Sequence, residues 1–250
     1  MTTGVSLTTG PQAQATATTA ADVGDPAAPL LATARGTAGA PDPAAAPLLA
    51  TSEGGAGGDA PARALLPDAL RTFTAAVDAA AAAGAWAAPT PSGWDVRGVV
   101  AHVAAQQRRV PHVLAGAEPP ARPADDDGLG ADPRRTWRAV SAASTVAWAG
   151  AAQDATVRLR GEQAPASELA ERLLLDLVVH GCDVRRAVRA TGAPAPEPAD
   201  GGAAACAAHA LAWARAHQRL LTGSGHFGTP QEAGSDEPLP QLLALTGRRA

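Results

Sequence analysis

From about Ala62 onward the large apolar residues recur at steps of three and four, and no stretch of useful length alternates apolar with polar. That spacing gathers apolar side chains into a stripe along a helix, whereas a strand would need a period of two. The chain must therefore bury helix faces against one another, and the expected fold is all-α.

The stripe is most regular at Leu169, Leu173, Leu177, Val184 and Val188, a helix that should end near Thr191-Gly192. Three helices precede it. Leu65, Leu66, Ala69, Leu70, Phe73, Ala76 and Val77 define the first, entered through Pro67 in its first turn or so. Asp95 is placed to cap the second, which carries Val96, Val99, Val100, Val103 and Val110 to about Ala115. After a Pro- and Asp-rich loop from Glu118 to Pro133, Trp137, Val140, Ser144, Ala147 and Trp148 mark the third. A fifth, Ala-rich helix spans about Ala203 to Leu221, and a short apolar turn follows at Leu239 to Leu245. Four main helices fit an antiparallel four-helix bundle with an extra C-terminal helix and tail, an architecture that builds metal and cofactor sites from inward-facing side chains.

Residues 1–60 hold Ala, Thr, Gly, Pro and Ser with few large apolar side chains, too little to offset the entropy of ordering, so a disordered N-terminal extension is expected. Within it Ala28-Pro-Leu-Leu-Ala-Thr33 recurs as Ala46-Pro-Leu-Leu-Ala-Thr51. Two copies are too few for a solenoid. The bundle then occupies 61–222, and 223–250 forms a tail that crosses it and anchors Phe227 and Leu242. The tail's Gly223-Ser-Gly-His-Phe-Gly228 lacks the strand-turn-helix setting of a nucleophilic serine.

Composition removes several activities. All 20 basic residues are Arg, so neither a Schiff-base lysine nor a phosphate-loop lysine exists. The net charge is −4 with the arginines scattered, which argues against nucleic acid as a partner. Cys182 and Cys206 stand outside any CxxC pair, consistent with a reducing cytosol, and no apolar run reaches the length of a membrane span. The sequence thus reads as cytoplasmic, with no membrane partner.

The chemistry lies in the regular helix. Asp176 and His180, four residues apart, are neighbours on one face and share the stripe with leucines. A buried carboxylate must be neutralised by a proton, by its neighbour or by a cation. Taken alone, the pair is more often an Asp–His hydrogen bond with no metal, since such spacings arise often by chance. His102, beside Val99 and Val103 on the second helix, adds a third group that can face the pair across the bundle. Two imidazoles and a carboxylate form an open site for zinc foremost, or for iron(II), nickel or manganese. Asp183 either orients the free ring nitrogen of His180 or faces solvent. His112, His209, His217 and His226 form no second ligand set by spacing, and Cys182 reads as buried and inert.

Three stretches carry a resemblance: Thr90-Pro-Ser-Gly-Trp-Asp-Val-Arg-Gly-Val-Val-Ala-His102-Val, Leu174-Leu-Asp-Leu-Val-Val-His-Gly-Cys-Asp183, and Phe227-Gly with Leu242-Leu-Ala-Leu-Thr-Gly-Arg248. From about residue 65 to the end, the chain resembles the DinB-like four-helix bundles of the mycothiol-dependent maleylpyruvate isomerase type, common among actinobacterial proteins. The resemblance implies that His102, Asp176 and His180 bind a divalent metal. It also implies that a thiol, mycothiol in that family, reacts with a small electrophile in an isomerase or transferase reaction. The isomerase has Glu where Asp176 stands. The family's Thr-Pro-Cys-x-Gly-Trp and His-Gly-Trp-Asp are changed here by Ser92, with one residue fewer, and by Cys182. No general acid or base is identified, and a non-catalytic metal- or small-ligand-binding bundle is the other reading.

Overall fold

The structure, a computed structural model, describes residues 62–119, 127–159, 161–195, 197, 201–223 and 227–248. The N-terminal extension and its repeat lie outside these residues. Four long helices form the body: α1 (Ala62–Ala83), α2 (Val96–Leu114), α3 (Pro133–Gly150) and α4 (Ala166–Ala190). Among the described residues no helix is long and apolar enough to cross a membrane.

Cross-helix hydrogen bonds give the directions. Arg63, at the start of α1, donates to the Trp148, Ala151 and Ala152 carbonyls at the end of α3, while Arg134 and Arg138 at the start of α3 hold Asp78 near the end of α1. These two helices are antiparallel. The long connection after α2 runs back along it, since Arg108 donates to the Gly128 carbonyl and Arg97, a helical turn or more earlier, to that of Gly130. Consequently α3 starts at the same end as α2, the arrangement a long crossover makes possible.

The apolar stripes meet in one core, in which Phe73, Val77, Val99, Val103, Trp137, Leu173, Leu177 and Val184 are fully buried or nearly so. Phe73 packs on Trp137 at 4.7 Å, and Trp137 Nε1 donates to Thr74 Oγ1. Such burial contributes about 1.5–3 kcal/mol per large side chain. Asp95 caps α2 by accepting from the Gly98 amide at 2.7 Å, as its position predicts. Pro67 stands at the sixth residue of α1, a turn deeper than the sequence suggested, where it removes one intrahelical bond.

Two departures have local causes. A hairpin, β1 (Thr156–Leu159) with β2 (Glu162–Pro165), joins α3 to α4 and pairs Leu159 with Glu162. Gly161, at φ +85°, makes its turn. Only Val157 of the hairpin is buried, so its four-residue strands carry no readable alternation. The single Ala-rich helix expected over 203–221 is two, α5 (Gly201–Ala216) and α6 (Gln218–Gly223). They part at His217, whose ring stacks on Trp213 at 4.3 Å and bonds its carbonyl through Nδ1 at 2.9 Å.

The last helix, α7 (Pro238–Leu245), inserts Leu242 and Leu243 into a second cluster with Leu175, Val179 and Cys182 of α4 and Leu211 and Ala214 of α5. Phe227 packs at its edge, as the expected anchor. Helix α4 is thus enclosed by α1, α2, α5 and α7, and from Leu173 to Arg185 every residue except Val178 is buried.

Candidate metal centre

His102 lies in the second turn of α2, where the register set by Val99 and Val103 aims it at α4. Asp176 and His180 stand one turn apart on the facing side of α4, 2% and 5% exposed. The structure brings all three together: one ligand atom from each lies within 4.8 Å of the others. Ligands of one tetrahedral ion with bonds near 2.0–2.2 Å lie about 3.4 Å apart, so the widest of these separations exceeds that by up to about 1.4 Å, and the side chains would have to draw together to share an ion.

Their hydrogen bonding is incomplete, as it is for buried atoms of Gln107, Trp148, Arg172 and Arg185. His102 Nε2 and Asp176 Oδ1 are buried without a partner, and His102 Nε2 approaches Asp176 Oδ2 only to 3.7 Å, too far for a hydrogen bond. His180 is held from behind, its Nδ1 lying 3.1 Å from Asp183 Oδ2. With Nδ1–H donating to that carboxylate, Nε2 keeps its lone pair for the site. A pair of orphaned polar atoms beside a ring so oriented suits a divalent cation.

Asp183 is fully buried and does not face solvent. Arg248, from the segment after α7, donates Nη2 to Asp183 Oδ2 at 2.9 Å and Nε to Oδ1 at 3.3 Å. Burial pushes the Asp183 carboxyl up, but the bonds from His180 and Arg248 and the guanidinium charge outweigh it and hold the group below the usual carboxylate range.

Trp94 forms a wall, its ring centroid 5.1 Å from that of His102 and 6.1 Å from that of His180. The loop that carries it is tied by Thr90, which bonds the Trp94 carbonyl through both its amide and its hydroxyl. Neither Trp94 nor Arg248 was assigned a role from sequence, although both lie in the stretches that carry the resemblance.

The remaining candidates fall elsewhere. His209 bonds both Glu171 oxygens at 2.9 Å, joining α5 to α4, and His217 is stacked on Trp213. His112 sits in the last turn of α2, and His226 is outside the described residues. Cys182 and Cys206 are buried, and neither is in a disulfide. Burial, with a smaller contribution from Asp183, raises the Cys182 thiol, against the opposing charge of Arg185. It has the character of an inert core group.

The family model described as Mycothiol maleylpyruvate isomerase N-terminal domain matches residues 66–185, which take in Trp94, His102, Asp176, His180 and Asp183 and leave out α5 to α7 and Arg248. No curated protein and no solved structure matches the chain. A helical bundle with this match places residues 66–185 of the chain in the mycothiol maleylpyruvate isomerase N-terminal domain family, of the DinB-like type.

Proposed function

We propose that the chain binds a divalent metal, zinc foremost, through His102, Asp176 and His180, and uses it to promote reaction of a thiol or water with a small electrophile. Mycothiol is the thiol to test first, by the family's description. The observation that carries the reading is the pair of buried, partnerless atoms, His102 Nε2 and Asp176 Oδ1, on two side chains that approach to 3.7 Å where apolar side chains would otherwise be expected. Leaving such groups unpaired costs about 1–3 kcal/mol each, a cost that a bound cation removes.

Each residue then has a task. His102, Asp176 and His180 hold the ion, and Asp183 keeps the His180 proton on Nδ1. Trp94 covers the two imidazoles and limits water. When bound, the metal supplies positive charge that favours the anion of a thiol or water at neutral pH.

Metal analysis of protein purified without chelator tests the binding. About one ion per chain is expected in the wild type and none in the His102→Ala/His180→Ala double variant; equal content in both refutes the site. Incubation of zinc-loaded protein with mycothiol and a set of small electrophiles, read by mass for thiol conjugates, tests the chemistry.

A further inference from the structure

We infer that the C-terminal segment completes the metal centre from outside the family-matched region: Arg248 positions His180 through Asp183, so metal binding and docking of residues 227–248 are coupled. This rests on the metal reading above and adds to it a control element that the ligand triad does not contain.

Arg248 is 5% exposed, and all three of its guanidinium nitrogens are used. Nε and Nη2 take the two oxygens of Asp183, Nη1 donates to the Thr246 carbonyl at 2.8 Å, and Cζ lies 5.5 Å over the Phe227 ring. A planar fork held at every nitrogen leaves the Asp183 carboxylate little freedom to turn. Asp183 Oδ2 is the same atom that meets His180 Nδ1, so the guanidinium fixes the plane in which the imidazole must lie.

The backbone is shaped to deliver this arginine. Leu242 and Leu243 seat α7 against Leu175 and Val179 of α4, each the chain neighbour of a proposed ligand, Asp176 and His180. The helix then ends with the Arg248 amide on the Leu243 carbonyl and the Gly247 amide on that of Ala244, the paired closure that calls for a left-handed residue. Gly247 supplies it at φ +79°, and a Cβ there would come within 2.5 Å of the Gly228 backbone. This Gly247–Gly228 crossing brings Phe227 and Arg248 together on Asp183.

By linkage, whatever metal binding gains from an ordered Asp183 it returns to the docked segment in equal measure. The test uses the full chain and zinc chloride, with affinity measured by competition against a chromophoric chelator. Arg248→Ala should weaken zinc binding about 10–100-fold, the usual effect of losing a partner behind a metal ligand, and Arg248→Lys by less than that but by more than about twofold. Asp183→Asn should weaken it as well, and adding Arg248→Ala to Asp183→Asn should cost nothing more, because the arginine acts through that carboxylate. Zinc should slow amide hydrogen exchange over residues 239–248 in the wild type and leave it unchanged in Asp183→Asn. If Arg248→Ala fails to fold, the lysine variant and the exchange measurement on the wild type decide. A wild type that binds zinc while Arg248→Ala or Arg248→Lys keeps its affinity within twofold, or with no change in exchange, overturns this inference and spares the metal reading. A wild type that takes up no zinc overturns the metal reading itself.

Discussion

Asp176→Asn separates the cost of holding the ligand set from the gain of filling it. Asp176 is 2% exposed, its Oδ1 has no partner, and its Oδ2 stands 3.7 Å from His102 Nε2. Asparagine has the same shape without the charge. Its amide N–H can donate to a His102 Nε2 lone pair, a bond that the carboxylate cannot make, so the substitution should stabilise the metal-free protein by about 1–3 kcal/mol. Zinc works the other way: at 1,000 times its dissociation constant it should stabilise the wild type by about 4.1 kcal/mol, and Asp176→Asn hardly at all, because the amide is a poor ligand. The order of stabilities then reverses between chelator and zinc. For a chain of this size each kcal/mol moves the melting temperature by about 2–4 °C, so both differences are measurable. Urea unfolding followed by far-ultraviolet circular dichroism gives the values, provided the denaturant dependence is the same in both proteins. The reasoning fails if Asp176→Asn is the less stable protein in chelator, or if zinc stabilises both equally.

Three further outcomes follow from contacts away from the centre. Ser144→Ala removes the 2.7 Å bond to Gln107 Oε1 and leaves that buried amide without a partner at either end, so urea unfolding should register a loss of about 1–3 kcal/mol. Asp95→Ala removes the α2 cap and should cost about 0.5–2 kcal/mol by the same assay. Burial raises the Asp78 carboxyl, but bonds from Arg138 and Arg134 carry it below its usual value, so its contribution is complete above about pH 4 and is lost as pH falls through the lower folded value. At 31% exposure that contribution is about 0.5–1 kcal/mol, and the stability gap between wild type and Asp78→Asn, measured from neutral to strongly acid pH, should narrow as pH falls below the ordinary carboxylate range.

Where a feature was set by near neighbours in the chain, it was legible. The four long helices follow from stripes that local spacing defines, and Asp95 caps where its position says it should. Asp176 and His180 stood out because ionisable groups interrupt a leucine stripe, and His102 because its valine neighbours fix its direction. What escaped depends on contacts between distant parts. The α5–α6 break is written in the stacking of His217 on Trp213, which an Ala-rich pattern does not reveal. Trp94 becomes a wall only when the Thr90 turn folds over the two imidazoles. Arg248 meets Asp183 across 65 residues, and a lone arginine after a short apolar turn says nothing of its target.

Helix α4 sets the unmatched groups of the proposed centre beside buried groups that serve the fold. It is the enclosed element of the molecule, yet it buries Asp176, His180, Asp183 and Arg185. Groups that serve the fold alone should find partners within it. Asp183 does so, with His180 on one side and Arg248 on the other. Arg185 does so in part, through Cys182 Sγ at 3.0 Å, and its spare nitrogens are hydrogen-bond donors belonging to a single side chain. Around His102, Asp176 and His180 the arrangement is of a different kind, since three side chains from two helices bring one potential ligand atom each within 4.8 Å of the others, and unprotonated ligand atoms would present lone pairs to one another. Lone pairs do not satisfy one another, and the backing of His180 by Asp183 and Arg248 keeps its ring from turning away. A single cation would satisfy all three together, which is the physical ground of the metal reading proposed above.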